Sequence, residues 1–69
     1  MPFANLKVPA GSVTTEQKQE MVDTITDMYA GIWGDDVRAY TMVLVDEVVD
    51  GGWGIGGNVL TLAMLKQDT

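Results

Sequence analysis

Pro2 has the most unusual chemistry within its reach of any residue in this chain. Initiator methionines are commonly removed when the next residue is small, and loss of Met1 would leave Pro2 as a secondary amine at the terminus. Such an amine accepts and returns protons. Apolar surroundings would disfavour its charged form and lower its pKa toward neutrality, the range in which a general base works best. Proline is also commonplace at the second position, so Pro2 alone assigns no role. Other residues offer less. Asp46, Glu47 and Asp50 can be drawn as a divalent-metal cluster, yet carboxylates beside a turn are far more often a solvated strand end that blunts a sheet edge. Histidine and cysteine are absent, which argues against a zinc site, and neither metal nor cofactor is expected. Gly52-Trp53-Gly54-Ile55-Gly56-Gly57 formally matches the G-x-G-x-x-G dinucleotide pattern. It is followed by only twelve residues, too few for the helix and ribose-binding carboxylate that pattern serves. The Tyr40 hydroxyl could donate to an oxyanion, but on a buried strand a structural part is the simpler reading. Lys7 reads as solvated or interfacial.

The elements that must position these groups follow from spacing. Phe3 to Val8 alternates modestly and is followed by the turn formers Pro9, Ala10, Gly11 and Ser12, which predicts a strand over about residues 2 to 8 with Pro2 at its start, where proline is tolerated. Thr14 with Gln17 three residues later fits a capping box. Met21, Ile25, Met28 and Ile32 recur at intervals of four, three and four, predicting a helix over about 15 to 33 that Gly34, Asp35 and Asp36 terminate. Arg38 to Asp46 is rich in β-branched and aromatic residues, and its continuous apolar run Met42-Val43-Leu44-Val45 predicts a strand covered on both faces. Strand, helix and strand form a βαβ unit, whose strands run parallel with a right-handed crossover. After the glycine-dense turn at 51 to 57, Val59 to Leu65 reads as a short strand, with a helical turn as the alternative. The fold class is therefore α/β, a short βαβ subunit with a C-terminal hairpin or short strand, and residues 1–69 form a single domain.

Composition narrows the surroundings. A chain of 69 residues buries only about 60% of the surface its unfolded form exposes, and without cysteine no disulfide reinforces it. Oligomerisation is the remaining support. Residues are 46% hydrophobic, and much of the surface of Met21, Ile25, Met28, Ile32, Trp33 and Val43 to Val45 is expected to lie against other subunits. Ten carboxylates outnumber the four scattered cations Lys7, Lys18, Arg38 and Lys66, for a net charge of −6, so nucleic acid is not an expected partner. The longest apolar run, Tyr40 to Val45, falls far short of the ~20 residues of a membrane span, and the N-terminus lacks a basic-then-apolar signal segment. A soluble cytoplasmic protein is expected, with no membrane partner.

Met-Pro at the start, a βαβ unit, and Gly51-Gly52-Trp53-Gly54-Ile55-Gly56-Gly57 together resemble the 4-oxalocrotonate tautomerase family. Thr14, Glu16, Gln17 and Lys18 resemble the start of that family's helix. The likeness runs over nearly the whole chain and is weakest after Leu60. It implies a trimer of dimers, or a related hexamer, in which the amino-terminal proline moves a proton between the carbons and oxygens of an enol or dienol. Pro2 matches that proline. The resemblance also implies that an aromatic residue of the glycine-rich turn lines a neighbouring subunit's pocket; Trp53 stands there, with interface packing as the plainer role.

Two departures bear on substrate. Family members acting on dicarboxylates carry an arginine just after the glycine that ends the first strand, where Ser12 and Val13 follow Gly11 here. A second family arginine lies within the second strand, at the place Met42 holds. Arg38, four residues earlier on the expected strand, would share a face with Met42 at roughly 13 Å and either reach the pocket mouth to bind substrate or remain solvated. An arginine fork holds a carboxylate by two parallel hydrogen bonds and steadies enolate charge. Six copies at −6 would carry −36, a field that slows anionic substrates. A neutral or singly charged keto/enol substrate, or weak activity on dicarboxylates, is therefore expected. The alternatives are a non-catalytic or half-catalytic subunit of a hetero-oligomer, as some family members are, and a structural oligomer without the chemistry.

Overall fold

The computed structural model describes residues 1–67. Strand β1 (Phe3–Pro9) leads through a turn into helix α1 (Thr15–Trp33), a 3₁₀ helix spans Asp35–Tyr40, and β2 (Met42–Val48) follows. The chain continues as β3 (Trp53–Ile55), β4 (Asn58–Leu60) and α2 (Leu62–Gln67). β1 and β2 are parallel, in register from Phe3 opposite Met42 to Pro9 opposite Val48, and β3 and β4 form an antiparallel hairpin. This is the expected α/β unit with its C-terminal hairpin.

Helix α1 starts and stops where its capping residues dictate. The Gln17 N–H donates to Thr14 Oγ1 at 3.1 Å and the Thr14 N–H donates to Gln17 Oε1 at 2.8 Å, closing the capping box. At the far end the Gly34 N–H donates to the Ala30 carbonyl at 2.7 Å, and Gly34 turns the chain with a φ of 98°. Its inward side carries Met21, Val22, Ile25, Tyr29 and Ala30, whereas Met28 and Ile32 of the same apolar periodicity are exposed.

Three expectations are corrected. The second strand begins at Met42, not Arg38: residues 35 to 40 coil into the 3₁₀ helix, which the Thr41 hydroxyl closes by donating to the Val37 carbonyl at 2.8 Å. Asp35 and Asp36 start that turn at the end where helical N–H groups favour carboxylates, and this outweighs the β propensity of the residues that follow. Second, β2 is covered on one face only. Val43 and Val45 are half-buried beneath α1, while Met42 and Leu44 are 53% and 47% exposed on the opposite side. Third, Val59 to Leu65 is not a single strand. Gly56 and Gly57, at φ 57° and 82°, make the two-residue turn that folds 58–60 back on 53–55. Residues from Leu62 onward, good helix formers, then coil. Asp50 Oδ1 accepts the Leu62 N–H at 2.8 Å, tying the base of the hairpin to the start of α2.

The interior is slight. Ala30, at 6% exposure, is the one buried hydrophobic residue among those described. The solvent-accessible surface is 5062 Å², against about 4,250 Å² for a compact monomer of this mass. The radius of gyration is 14.9 Å, against about 11 Å for a compact chain of this length.

Candidate active site

Pro2 lies immediately before β1 and is half-buried. Its carbonyl accepts the Met42 N–H at 3.0 Å, extending the β1–β2 ladder by one bond and fixing the ring at the end of the sheet. Beside it opens a crevice of about 330 Å³ lined by Met1, Pro2, Trp33 and Val37. The elements converge there for separate reasons: the parallel register brings Pro2 to the start of β2, α1 ends at Trp33, and the 3₁₀ helix carries Val37 back toward the sheet. With Met1 removed, a free nitrogen at this position would have an indole and a valine for neighbours. Those are apolar surroundings, which favour the uncharged amine.

Trp33 was not singled out from sequence as a site residue. The legible signal is Tyr29 with Trp33 four residues on, an aromatic pair at the last turn before a terminating glycine; their rings stack at 5.7 Å with 14° between planes. Val37 left no signal, because the segment around it reads as strand.

Arg38 lies on the 3₁₀ helix, so the strand geometry expected to set it on the Met42 face does not apply. Its Nη1 donates to Asp27 Oδ1 at 2.6 Å and its Nε to Asp35 Oδ1 at 3.2 Å. These hydrogen bonds, Asp27 first, hold the guanidinium above its ordinary pKa. Two of the three guanidinium nitrogens are thereby engaged within the chain, and Nη2 has no partner among the described residues. Tyr40 ends the 3₁₀ helix and is exposed, rather than standing on a buried strand.

Trp53 opens β3, partly buried, and does not share the crevice lining with Pro2 of the same chain. Its indole N–H is buried without an acceptor among the described residues, an arrangement that ordinarily costs about 1–3 kcal/mol. The three acidic residues near the hairpin have separate partners: Asp46 pairs with Lys7, Glu47 with Lys18 at 3.0 Å, and Asp50 with the Leu62 N–H. A larger groove of about 440 Å³ lies between β1 and α1, lined by Leu6, Val13, Gln17, Glu20, Met21, Thr24 and Ile25, and shares no residue with the Pro2 crevice. No described helix is long and apolar enough to cross a membrane.

Known proteins agree with this architecture. The tautomerase enzyme family model matches residues 2–63. A probable tautomerase K2 of Dickeya dadantii is 38% identical over 61 residues, covering 88% of this chain and 90% of that protein. A probable tautomerase of Helicobacter pylori is 37% identical over 59 residues, covering 83% and 85%. Among solved structures, DmpI from Helicobacter pylori superposes with a TM-score of 0.70 at 32% identity, covering 84% of this chain and 94% of that one. A structure from a study of the 4-oxalocrotonate tautomerase isozymes of Methylibium petroleiphilum gives a TM-score of 0.73 at 28% identity, covering 93% and 97%.

Proposed function

This chain belongs to the tautomerase enzyme family, and from that premise we propose that Pro2, once Met1 is removed, is the base and then the acid of a keto–enol isomerisation. The observation that carries the reading is the half-buried Pro2 at the edge of a crevice walled by Trp33 and Val37. In the enol-to-keto direction the amine takes the hydroxyl proton and returns a proton to the neighbouring carbon, while the enol π pair forms the new C–H bond and the oxygen becomes a carbonyl. The amine ends as it began.

The same reading gives the working form as a small oligomer, a homohexamer built as a trimer of dimers. A single buried side chain among the described residues is too little core for an isolated chain, and apolar residues stand uncovered on both α1 and β2. In such an assembly Trp53 lines the pocket of a neighbouring subunit, consistent with its absence from the crevice of its own chain. A two-pronged grip on a substrate carboxylate by Nη1 and Nη2, or by Nε and Nη2, would compete with the Asp27 or Asp35 bond that Arg38 now makes.

The test is an intact mass of the native protein together with ketonisation of phenylenolpyruvate by wild type and Pro2→Ala. The expected result is a mass lacking one methionine and turnover that Pro2→Ala reduces at least a hundredfold. Retained methionine, or a processed chain inert toward enols, would overturn the reading. The specific observation favouring a second reading, a subunit that completes its site with a different chain type, is that Ser12, Val13 and Met42 occupy the two arginine positions. A native complex of one chain type that turns over would exclude it.

A further inference from the structure

Trp33 is largely exposed, at 62%, yet it is held in place. It stacks on Tyr29 one helical turn earlier, and the bond from the Gly34 N–H to the Ala30 carbonyl fixes the turn that carries it. A flat apolar surface thus faces the crevice beside Pro2 without needing to be ordered when a ligand arrives. Charge around the crevice points the same way. Val37, which also lines the crevice, is flanked by Asp35, Asp36 and Arg38, and the Arg38 guanidinium is paired with both Asp27 and Asp35. The other cations with described side chains are paired as well, Lys7 with Asp46 and Lys18 with Glu47. A carboxylate entering here would meet more acidic than basic groups and no unengaged guanidinium. An aromatic ring would meet an indole.

We infer that Trp33 is the residue that selects the substrate, its indole forming a wall beside Pro2 that favours an uncharged, aryl-bearing keto/enol compound over a dicarboxylate. The inference rests on the reading of Pro2 as proton carrier. The substrate's ring packs against the indole in offset or edge-to-face contact, which sets its enol carbon and oxygen toward the amine. Selectivity then comes from two sources: ring contact for the preferred class, and absence of a charge partner for the rejected one.

The experiment measures ketonisation of the enols of benzoylacetone, which is uncharged and carries a phenyl ring, and oxaloacetate, a dicarboxylate, each as kcat/KM divided by the uncatalysed rate. Wild type is expected to favour benzoylacetone at least tenfold. Trp33→Ala should lower the benzoylacetone value tenfold or more, mainly through KM, while changing the oxaloacetate value less than threefold; Trp33→Phe should restore most of the loss. Trp33→Leu, which keeps apolar volume without a ring, gives the same reading should the alanine variant not assemble. Calorimetric binding of both compounds to Pro2→Ala, with and without the Trp33 change, separates the two proposals. Selective binding without turnover by the processed wild type overturns the Pro2 reading and leaves the Trp33 assignment standing. Turnover that depends on Pro2 but shows no aryl preference, or equal losses for both substrates in Trp33→Ala, overturns the assignment alone.

Discussion

At the scale of single residues, the most consequential pairing is Arg38 with Asp27 and Asp35. The guanidinium offsets two carboxylates on the side of the molecule where Pro2 lies, next in sequence to Val37 of the crevice wall. Nearby negative charge favours the ammonium form of an amine and so raises its pKa, opposing the apolar surroundings that lower it. Arg38→Met leaves those carboxylates uncompensated. The pKa of the Pro2 amine should therefore rise, and the acid limb of the kcat/KM profile for an uncharged enol should move to higher pH. Because the carboxylates are exposed, the shift is modest at low ionic strength and shrinks as salt is added. An unmoved or downward-shifted limb at low salt would count against this role. A pH-independent loss confined to anionic substrates would instead place Arg38 on the substrate.

At the scale of elements, the hairpin depends on a close approach at its base. A Cβ on Gly52 would stand 2.8 Å from Val48 Cγ1 and 2.9 Å from the Val49 carbonyl oxygen, and the second of these is backbone that cannot step aside. Gly52→Ala should displace the turn that leads into Trp53. Its expected signature is a melting temperature lower by several degrees and altered tryptophan fluorescence, with the far-UV helical signal of α1 retained; unchanged melting and emission would show that the turn absorbs the methyl group. Much of this architecture was legible in sequence because its signals are local and redundant. Thr14 with Gln17, the periodic apolar residues and Gly34 each mark α1, and the paired glycines mark the hairpin turn. What was not legible depends on contacts distant in sequence or on weak turns. The start of α2 is fixed by Asp50, twelve residues away from Leu62. The 3₁₀ helix at 35–40 is stabilised by Asp27 through Arg38, so propensity read along Arg38 to Asp46 mistook it for strand. That error also hid Val37, and with it the wall opposite Trp33. Pro2 could be proposed from sequence because the chemistry suggested for it comes from its position in the chain; Trp33 could not, because its place at the crevice appears only once α1, the 3₁₀ helix and β1 are brought together.

At the scale of the whole molecule, surface exceeds what one chain can hide. The face of the sheet away from α1 presents Phe3, Met42 and Leu44, with the Lys7–Asp46 pair beyond them along the strands, and α1 shows Met28 and Ile32 outward. If these surfaces are covered by other copies, folding and assembly are one equilibrium, and stability must rise with protein concentration by mass action. The melting temperature should therefore climb by several degrees between about 1 and 100 μM chain, whereas a monomer's would not move. Leu44→Glu tests the sheet face directly. On a monomer the change would place a carboxylate where 47% of the residue is already in water, and surface substitutions of that kind usually alter stability by less than about 0.5 kcal/mol. Inside an interface it would bury an unpaired charge, costing several kcal/mol for each copy and repeated by symmetry around the assembly. Sedimentation of Leu44→Glu should then show small or unfolded species in place of the wild-type oligomer. On the proposal that a neighbour's Trp53 completes the pocket, ketonisation should be lost along with it. A wild-type sedimentation profile and full turnover in Leu44→Glu would mean that this face remains in solvent and that assembly uses the α1 surface instead.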